Sequence, residues 1–475
     1  MRWADLAVIA VYLAGVTWLG ARFRRSQHSL TDYFLGGRTA PWWAIALSIV
    51  AAETSTLTVI GTPPLSFQGD FAFLQVVLGY LLARLVISAV LLPAYFRGDL
   101  VTAYQLMEQR FGPRARKLTA GTFLFLRALA EGVRVFAISI VISVIFGASE
   151  LTSIAAITCL TLFYTYEGGM KAVIWTDVAQ MAVYAGGAAV SLAAILHEIP
   201  GGWHQVVELA APLGKFRVLD FRLGPPAAFF ARNYSFWAGI IGGCFLTTAS
   251  HGTDQLIVQR LLAARNQRES RTALLGSWVL VAGQFALFLT IGVCLFALYS
   301  VRNWQPPAVM DRIYPQFVWS YLPTGIAGLV MAAILAAAMS NLSAALNSLA
   351  SSTVVDFIGS KGSLKMARLV TTVWGAILFG IALLARHWGG VFEAGLSIAS
   401  VLYGSLLGAF LLGALTRVGE SAAICGMAAA LTLMIYVRFE TSIAFTWYVP
   451  IGTIAAFLTG LAASLIWKDT NRART

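Results

Sequence analysis

Residues 42–64 read Trp42-Trp43-Ala44-Ile45-Ala46-Leu47-Ser48-Ile49-Val50-Ala51-Ala52-Glu53-Thr54-Ser55-Thr56-Leu57-Thr58-Val59-Ile60-Gly61-Thr62-Pro63-Pro64, an apolar run interrupted at its middle by one carboxylate and three hydroxyls. A membrane-spanning helix needs about 20 mostly apolar residues. If this run crosses a bilayer, Glu53 therefore lies near membrane mid-depth, where an ionisable side chain costs on the order of 3 kcal/mol or more unless paired or hydrated. Two readings stand. Glu53 is a helix-packing residue paired with an arginine, or it marks a helix break where carbonyls and side-chain oxygens meet an ion or a solute. Gly61, Pro63 and Pro64 predict the end of the span.

The rest of the chain supports the membrane reading. Its 475 residues are 59% hydrophobic and 11% charged, against about 25% charged in a soluble domain. Mean hydropathy is +0.77. This composition excludes a secreted scaffold, a disordered chain and an ordinary soluble enzyme. Apolar runs near 4–21, 40–64, 72–95, 118–147, 151–167, 173–197, 233–258, 272–299, 322–354, 366–385, 391–415, 420–437 and 445–467 predict thirteen spans. An all-α polytopic membrane protein follows, because unpaired backbone cannot face hydrocarbon. The longest segment between spans is an external loop over 198–232, rich in Pro and Gly.

Charge orients the bundle. Loops on the side of the C-terminus hold 21 of the 33 Lys and Arg residues, the opposite loops hold 9 and the spans 3. The positive-inside rule then predicts an external N-terminus and a cytoplasmic C-terminus in a cell membrane, with a bacterial inner membrane as the expected location. The same bias accounts for the net charge of +12, and no nucleic-acid-binding motif accompanies it. The first apolar run is followed by Arg22, Arg24 and Arg25, so a cleaved signal peptide is not expected. Cys159, Cys244, Cys294 and Cys425 stand singly, which argues against a disulfide framework or a structural metal site.

Three further stretches carry polar groups at membrane depth. In 322–354, Ser340, Ser343 and Asn347 fall on one helical face, with Ala337 a turn earlier. Small residues serve close helix packing, whereas hydroxyl and amide oxygens are what a hard cation accepts in place of water. In 118–147, Arg127, Glu131 and Arg134 share a face. They form an internal ion network, or leave one guanidinium to hold a substrate carboxylate in a fork. Arg84 is a third buried cation in search of a partner. Asp177 lies about two turns into its span and serves the helix dipole or a cation exit path. Asp254, close to Arg260 and Arg265 in sequence, is expected to form a lock at the cytoplasmic end. Phe136, Phe236 and Trp237 are expected near a cavity, stacking on a solute or sealing the bundle.

These residues bring a known family into view. Asp32-Tyr33-Phe34-Leu35-Gly36-Gly37-Arg38, Gly168-Gly169-Met170-Lys171-Ala172-Val173-Ile174-Trp175-Thr176-Asp177, Thr253-Asp254-Gln255 with Gln259-Arg260, and Tyr403-Gly404-Ser405-Leu406-Leu407-Gly408 occur in this order. Together they resemble the sodium/solute symporter family, which includes sodium/glucose, sodium/proline and sodium/sialic-acid symporters. The resemblance implies a LeuT-type fold. One helix in 1–30 would precede a five-helix repeat over 40–197. The external loop 198–232 would lead to an inverted repeat over 233–415, and two further helices and a tail would fill 416–475. It also implies alternating access driven by sodium, with the first helix of each repeat interrupted.

The resemblance carries a sodium site onto the carbonyls of Ala51, Thr54 and Ala337 and the side chains of Ser340 and Asn341. The last position is usually Ser or Thr in relatives, so Asn341 is a departure that changes the geometry. A second ion would use Asp177 with Ser340 and Ser343, but Ala344 removes one expected hydroxyl. Glu53 is a second departure, at a position where relatives often carry Asn, Asp or Ser. It matches a proton-titrating group, a partner for Arg134 or an indirect sodium ligand.

The function expected is sodium-coupled symport of a small organic solute. The cations of the third core helix favour an organic anion such as a monocarboxylate or an acidic sugar, an inference that fails if carboxylates neutralise them. Glu53, Ser55, Arg127, Glu131, Arg134, Phe136, Phe236 and Trp237 are the substrate or coupling candidates. Proton coupling through Glu53, or a transporter-like sensor without coupled transport, are the alternatives. Sodium and the solute are the expected ligands and the bilayer the expected surroundings. No organic cofactor, nucleic acid or obligate protein partner is indicated, and no nucleophile–base set suggests an enzyme.

Overall fold

The computed structural model describes residues 2–22, 35–54, 56–97, 100, 102–165, 170–358, 364–387 and 391–466. Of the motifs quoted above, residues 32–34 and 166–169 lie outside that set. The described chain is helical, with one isolated bridge between Ala40 and Ala264. Its main helices are α1 (Trp3–Arg22), α2 (Trp42–Glu53), α3 (Thr56–Gln68), α4 (Leu74–Tyr95), α5 (Pro113–Phe146), α6 (Glu150–Thr165), α7 (Met170–Glu198) and α8 (Gly243–Gly252). They continue with α9 (Gln255–Leu262), α10 (Gln267–Arg302), α11 (Ile326–Ser352), α12 (Leu364–Ala385), α13 (Val391–Leu415), α14 (Glu420–Glu440) and α15 (Tyr448–Ile466).

Among the described residues, seven helices are long and apolar enough to cross a membrane, or eight if α2 and α3 count as one bent span. Side chains exposed on the outside of the bundle include Trp18, Val279, Leu369, Leu458 and Leu465. In water these would be costly, whereas lipid tails are as apolar as leucine.

Local signals set several helix ends. Pro113 opens α5 directly after Gly112, and Gly147 closes it at φ 63° in the left-handed region, the usual proline-first, glycine-last asymmetry. Pro63 and Pro64 do not end their helix as expected. They lie inside α3, which continues to Gln68. Proline removes backbone donors, and α3 is stabilised from outside instead: Ser66 Oγ donates to the Leu289 carbonyl of α10 at 2.7 Å.

Packing places α2 against α7 and α10, α3 against α10, and α4 against α8. The α4–α8 contact depends on glycine: a Cβ on Gly79 would lie 2.8 Å from the Cys244 amide nitrogen. Outside this core, α13, α14 and α15 pack together.

The loop contacts gather at two ends. At one, Arg110 donates to the Gly413 and Thr416 carbonyls, Glu420 accepts the amides of Arg114 and Ala115, and Arg116 pairs with Asp356. At the other, Arg2 donates to the Trp319 and Leu322 carbonyls and Arg302 pairs with Glu198. There too the Ala444 amide reaches the Phe230 carbonyl. The first group is the basic end. The segment 198–232 belongs to the second and contains two short helices, Gly202–Ala210 and Pro226–Ala231.

Candidate functional site

Two helix breaks frame the centre of the bundle. The first follows α2, where Thr54 leaves helical geometry at φ −83° and ψ 86°. Helices α2 and α3 meet there at 64°. The second follows α8 at Thr253 and Asp254, before α9 begins at Gln255. A break leaves the last carbonyls of a helix without intrahelical donors.

At the first break the Ala51 carbonyl meets the amide of Asn341 on α11, with Nδ2 at 3.5 Å. The Thr54 hydroxyl donates to Gln284 Oε1 on α10 at 2.6 Å. Ala337 and Ser340 precede Asn341 on α11; their side chains, that of Asn347 and the whole of Ser55 lie outside the described residues. The visible donors suit a hard cation, which takes carbonyl and amide oxygens. Rotating the Asn341 amide presents Oδ1 in place of Nδ2, and the hydrogen-bond network alone assigns which atom points inward.

Beside this junction lies a set of buried charges. Glu53 accepts from Arg84 Nη2 at 2.6 Å and lies 3.2 Å from His251 Nε2. Arg84 is fully buried and also donates to Ser277 Oγ and the Tyr80 carbonyl. On α5, Glu131 pairs with Arg134 and, at 3.3 Å, with Arg127. Arg127 also faces Asp254 at 3.7 Å. Asp254 in turn accepts the Tyr403 hydroxyl at 2.8 Å and caps α9 through the Leu256 amide.

Three arginines thus face three carboxylates, so the surplus positive charge expected on α5 is balanced by Asp254. Among the described residues the unpartnered polar atoms of this set include Arg127 Nε, Glu131 Oε2 and one edge of the Arg134 guanidinium. Arg134 gives Nη1 to Glu131 and keeps Nη2 without a hydrogen bond among the described residues, with its side chain 19% exposed. Glu53, Arg127, Arg134, His251, Asp254 and Tyr403 wall a central cavity of about 120 Å³, completed by apolar groups that include Leu57, Leu246 and Phe285.

The structure separates residues that adjacency in sequence had joined. Asp254 and Arg260, expected as one lock, take different partners. Arg260 Nη2 reaches Asp177 Oδ2 at 3.1 Å, and both hold Ser48 of α2: its hydroxyl donates to Asp177 at 2.6 Å and accepts from Arg260 Nε at 2.9 Å. All three side chains are buried. Arg127 does not extend to a surface; it is 4% exposed and paired. Glu53 pairs with Arg84 and not with Arg134. Ser343 lies half-buried on α11.

Phe136, Phe236 and Trp237 do not line the cavity. Phe136 is buried in the main apolar core, Phe236 stacks on Phe221 of the 198–232 segment at 4.6 Å, and Trp237 is 39% exposed. Sequence reasoning missed His251, Gln284 and Ser48 as site residues. Gln284 carried a usable signal, a lone amide in the apolar run Val281-Ala282-Gly283-Gln284-Phe285.

Comparison with known proteins identifies the fold and the family. The chain is 28% identical over 480 residues to the sodium/sialic acid symporter SiaT of Proteus mirabilis (strain HI4320), covering 96% of this chain and 94% of that one. It is 29% identical over 467 residues to the Homo sapiens sodium/iodide cotransporter, covering 92% and 70%. The Homo sapiens sodium-coupled monocarboxylate transporter 2 is 27% identical over 476 residues, covering 94% and 75%. A solved structure of a Na+-coupled sialic acid symporter, substrate-bound and outward-open, aligns over 98% of both chains with a TM-score of 0.85 and 26% identity. Mhp1, a nucleobase-cation-symport-1 transporter, shares the fold at a TM-score of 0.59 and 13% identity, over 91% of this chain and 93% of its own. Residues 33–430 match the sodium:solute symporter family, a family of transporters, and the chain belongs to it.

Proposed function

We propose that the protein carries a small organic anion, a monocarboxylate or an acidic sugar, across the cell membrane together with sodium by alternating access. The observation that carries this reading is the junction of two features: a helix break whose Ala51 carbonyl faces Asn341, and a cavity wall where Arg134 Nη2 has no hydrogen bond among the described residues. The first suits a cation and the second a carboxylate, so each ligand neutralises the charge the other brings. Similar proteins are named for sialic acid, iodide and monocarboxylates, all anions.

In this reading the cation lies between α2 and α11 on Ala51, Thr54, Ala337, Ser340 and Asn341. Asp177, with Ser343 nearby on α11, lines its way to the basic end. Thirteen spans run with the N-terminus outside and the basic end in the cytoplasm, a bacterial inner membrane being the expected setting. The repeats 40–197 and 233–415 each begin with a broken helix, α2–α3 and α8–α9. Their like interruption supports the inverted-repeat assignment, with 1–30 before them and 416–475 after. The loop contacts at the two ends support the alternation of spans. The seal of Ser48, Asp177 and Arg260 closes the basic end in the conformation described here.

Thermal stability of the purified full chain against a carboxylate panel, in sodium and in potassium, tests the reading, because a ligand of the folded state stabilises it by mass action. The expected result is a carboxylate-dependent rise in sodium alone. In Asn341→Ala the sodium needed for that rise should increase about tenfold, equivalent to about 1.4 kcal/mol. A rise that follows pH and is the same in sodium and potassium would overturn sodium coupling and make Glu53 the coupling group.

A further inference from the structure

The cavity presents two unused polar edges of opposite character. Among the described residues Arg134 Nη2, like the buried Nε beside it, makes no hydrogen bond, so the guanidinium offers a donor. Glu53 receives both Arg84 and His251 on one oxygen, Oε2, at 2.6 and 3.2 Å. Its other oxygen, Oε1, takes no hydrogen bond among the described residues, and the side chain is 12% exposed at the cavity wall. An anion alone satisfies only the first edge. A carboxylate oxygen left without a donor in a site that closes over its ligand is costly, so the solute has to supply one.

We propose that the solute is a small hydroxylated carboxylate, its carboxylate on Arg134 Nη2 and its hydroxyl donated to Glu53 Oε1, with Glu53 as the specificity-determining residue. The proposal rests on the organic-anion reading above and narrows its substrate class. Charge and volume distinguish a hydroxyl from an ammonium donor and a small acid from a large one.

The buried arginines Arg84, Arg127 and Arg134 are matched by Glu53, Glu131 and Asp254. One sodium ion with a monoanion adds no net charge to this balanced set. A sodium ion with an amino-acid zwitterion leaves a positive charge in a low-dielectric site, which is expensive. The volume sets the size. The cavity measures about 120 Å³, whereas a cavity of roughly 150 Å³ holds a benzene molecule and drug-sized ligands need about 300 Å³ or more. Hydroxylated three-carbon acids fit this volume.

The test compares solutes that differ by one atom group on the unmodified protein, so that it does not depend on a variant folding. Propanoate, 2-hydroxypropanoate, 2,3-dihydroxypropanoate and alanine are titrated against thermal stability in sodium and in potassium. A hydrogen bond to a charged acceptor is worth about 1.5–3 kcal/mol. The hydroxy acids should therefore bind about ten- to a hundredfold more tightly than propanoate, with alanine weaker than either.

In Glu53→Gln the hydroxy-acid advantage should shrink to a few-fold. In Arg134→Gln all the carboxylates should weaken together while the ratio between them is kept. Equal affinity for propanoate and the hydroxy acids in the unmodified protein would overturn the role of Glu53 and leave the anion reading standing. Preference for alanine would overturn the hydroxyl in favour of an ammonium. A panel in which no carboxylate stabilises the protein in sodium would overturn the anion reading itself.

Discussion

The two halves of the broken span, α2 and α3, are held in different ways. Helix α2 is held by side chains: Ser48 sits between Asp177 of α7 and Arg260 of α9, in a buried ion pair with a shared hydroxyl. Helix α3 is held through its backbone. Gly292 of α10 lies so close to the Pro63 carbonyl that a Cβ has no room. Lys215, from the 198–232 segment, reaches the far end of α3 and donates Nζ to the carbonyls of Ser66, Phe67 and Gly69 at 3.4, 2.7 and 3.2 Å. The same ammonium lies 4.1 Å from the centre of the Phe296 ring.

A backbone contact through glycine fixes one packing, whereas an ion pair can exchange its partners for water or a cation. The difference therefore assigns mobility. Under the alternating access proposed above, opening toward the basic end is expected to release α2 from Asp177 and Arg260 while α3 stays with α10. Coulombic contacts hold the half of the span toward the basic end, and close packing holds the other half.

The largest effect should come from breaking the α2 seal. Removing one partner of a buried ion pair costs about 3–5 kcal/mol, because the remaining charge stays buried. Arg260→Ala should lower thermal stability by that order and leave the basic end open. Cysteines placed at that end would then become accessible to a polar thiol reagent with or without sodium. Adding Asp177→Asn to Arg260→Ala should restore part of the stability, and the double-mutant cycle measures the coupling directly. Strictly additive losses would mean that the pair is not the seal.

Lys215→Met should show the contrast from the other half. Methionine keeps an unbranched stem beside Phe296 and loses the charge that caps the three carbonyls. A cation near a helix C-terminus is worth about 0.3–1 kcal/mol at exposed sites and up to about 2 kcal/mol when partly buried. The expected loss is thus a fraction of that for Arg260→Ala, with sodium dependence unchanged. A loss as large as that of Arg260→Ala would erase the distinction between the two halves.

How much of this was readable in advance depended on whether a feature is local. The helix break showed itself in sequence because Glu53-Thr54-Ser55-Thr56 disrupts an apolar run wherever its neighbours lie. The family motifs and the alternation of basic loops are likewise one-dimensional patterns. Partner choice is not. Whether Glu53 meets Arg84 or Arg134, and Asp254 meets Arg127 or Arg260, depends on the rotation and depth of helices distant in sequence. Adjacency suggested Asp254 with Arg260, but a helix begins between them: Asp254 caps α9, and Arg260 emerges more than a turn later, toward Asp177. The two prolines misled for a related reason. Their lost donors would end an isolated helix, and it is α10, far along the chain, that supports α3 past them.

The smallest effect concerns the segment that carries Lys215 and can be read by acid alone. Asp220 accepts from Arg222 Nε at 2.8 Å and Nη2 at 2.7 Å, while its own amide donates to Gln75 of α4 and its carbonyl accepts the Phe236 amide. Hydrogen bonds from the Arg222 side chain hold the Asp220 carboxyl down from 3.8 to about 2. A carboxylate with a depressed folded value binds its proton later than it does in the unfolded chain. Its contribution is therefore complete above its ordinary value and is lost as pH falls through the folded one. Between pH 3.8 and about 2 the 198–232 segment should loosen from α4, seen as faster hydrogen exchange at residues 215–222 while exchange in α10 is unchanged. Asp220→Asn removes the titrating group and should abolish this step, leaving exchange in the segment independent of pH once the intrinsic rate is divided out. If the step persists in Asp220→Asn, the Asp220–Arg222 pair is not what holds the segment to α4.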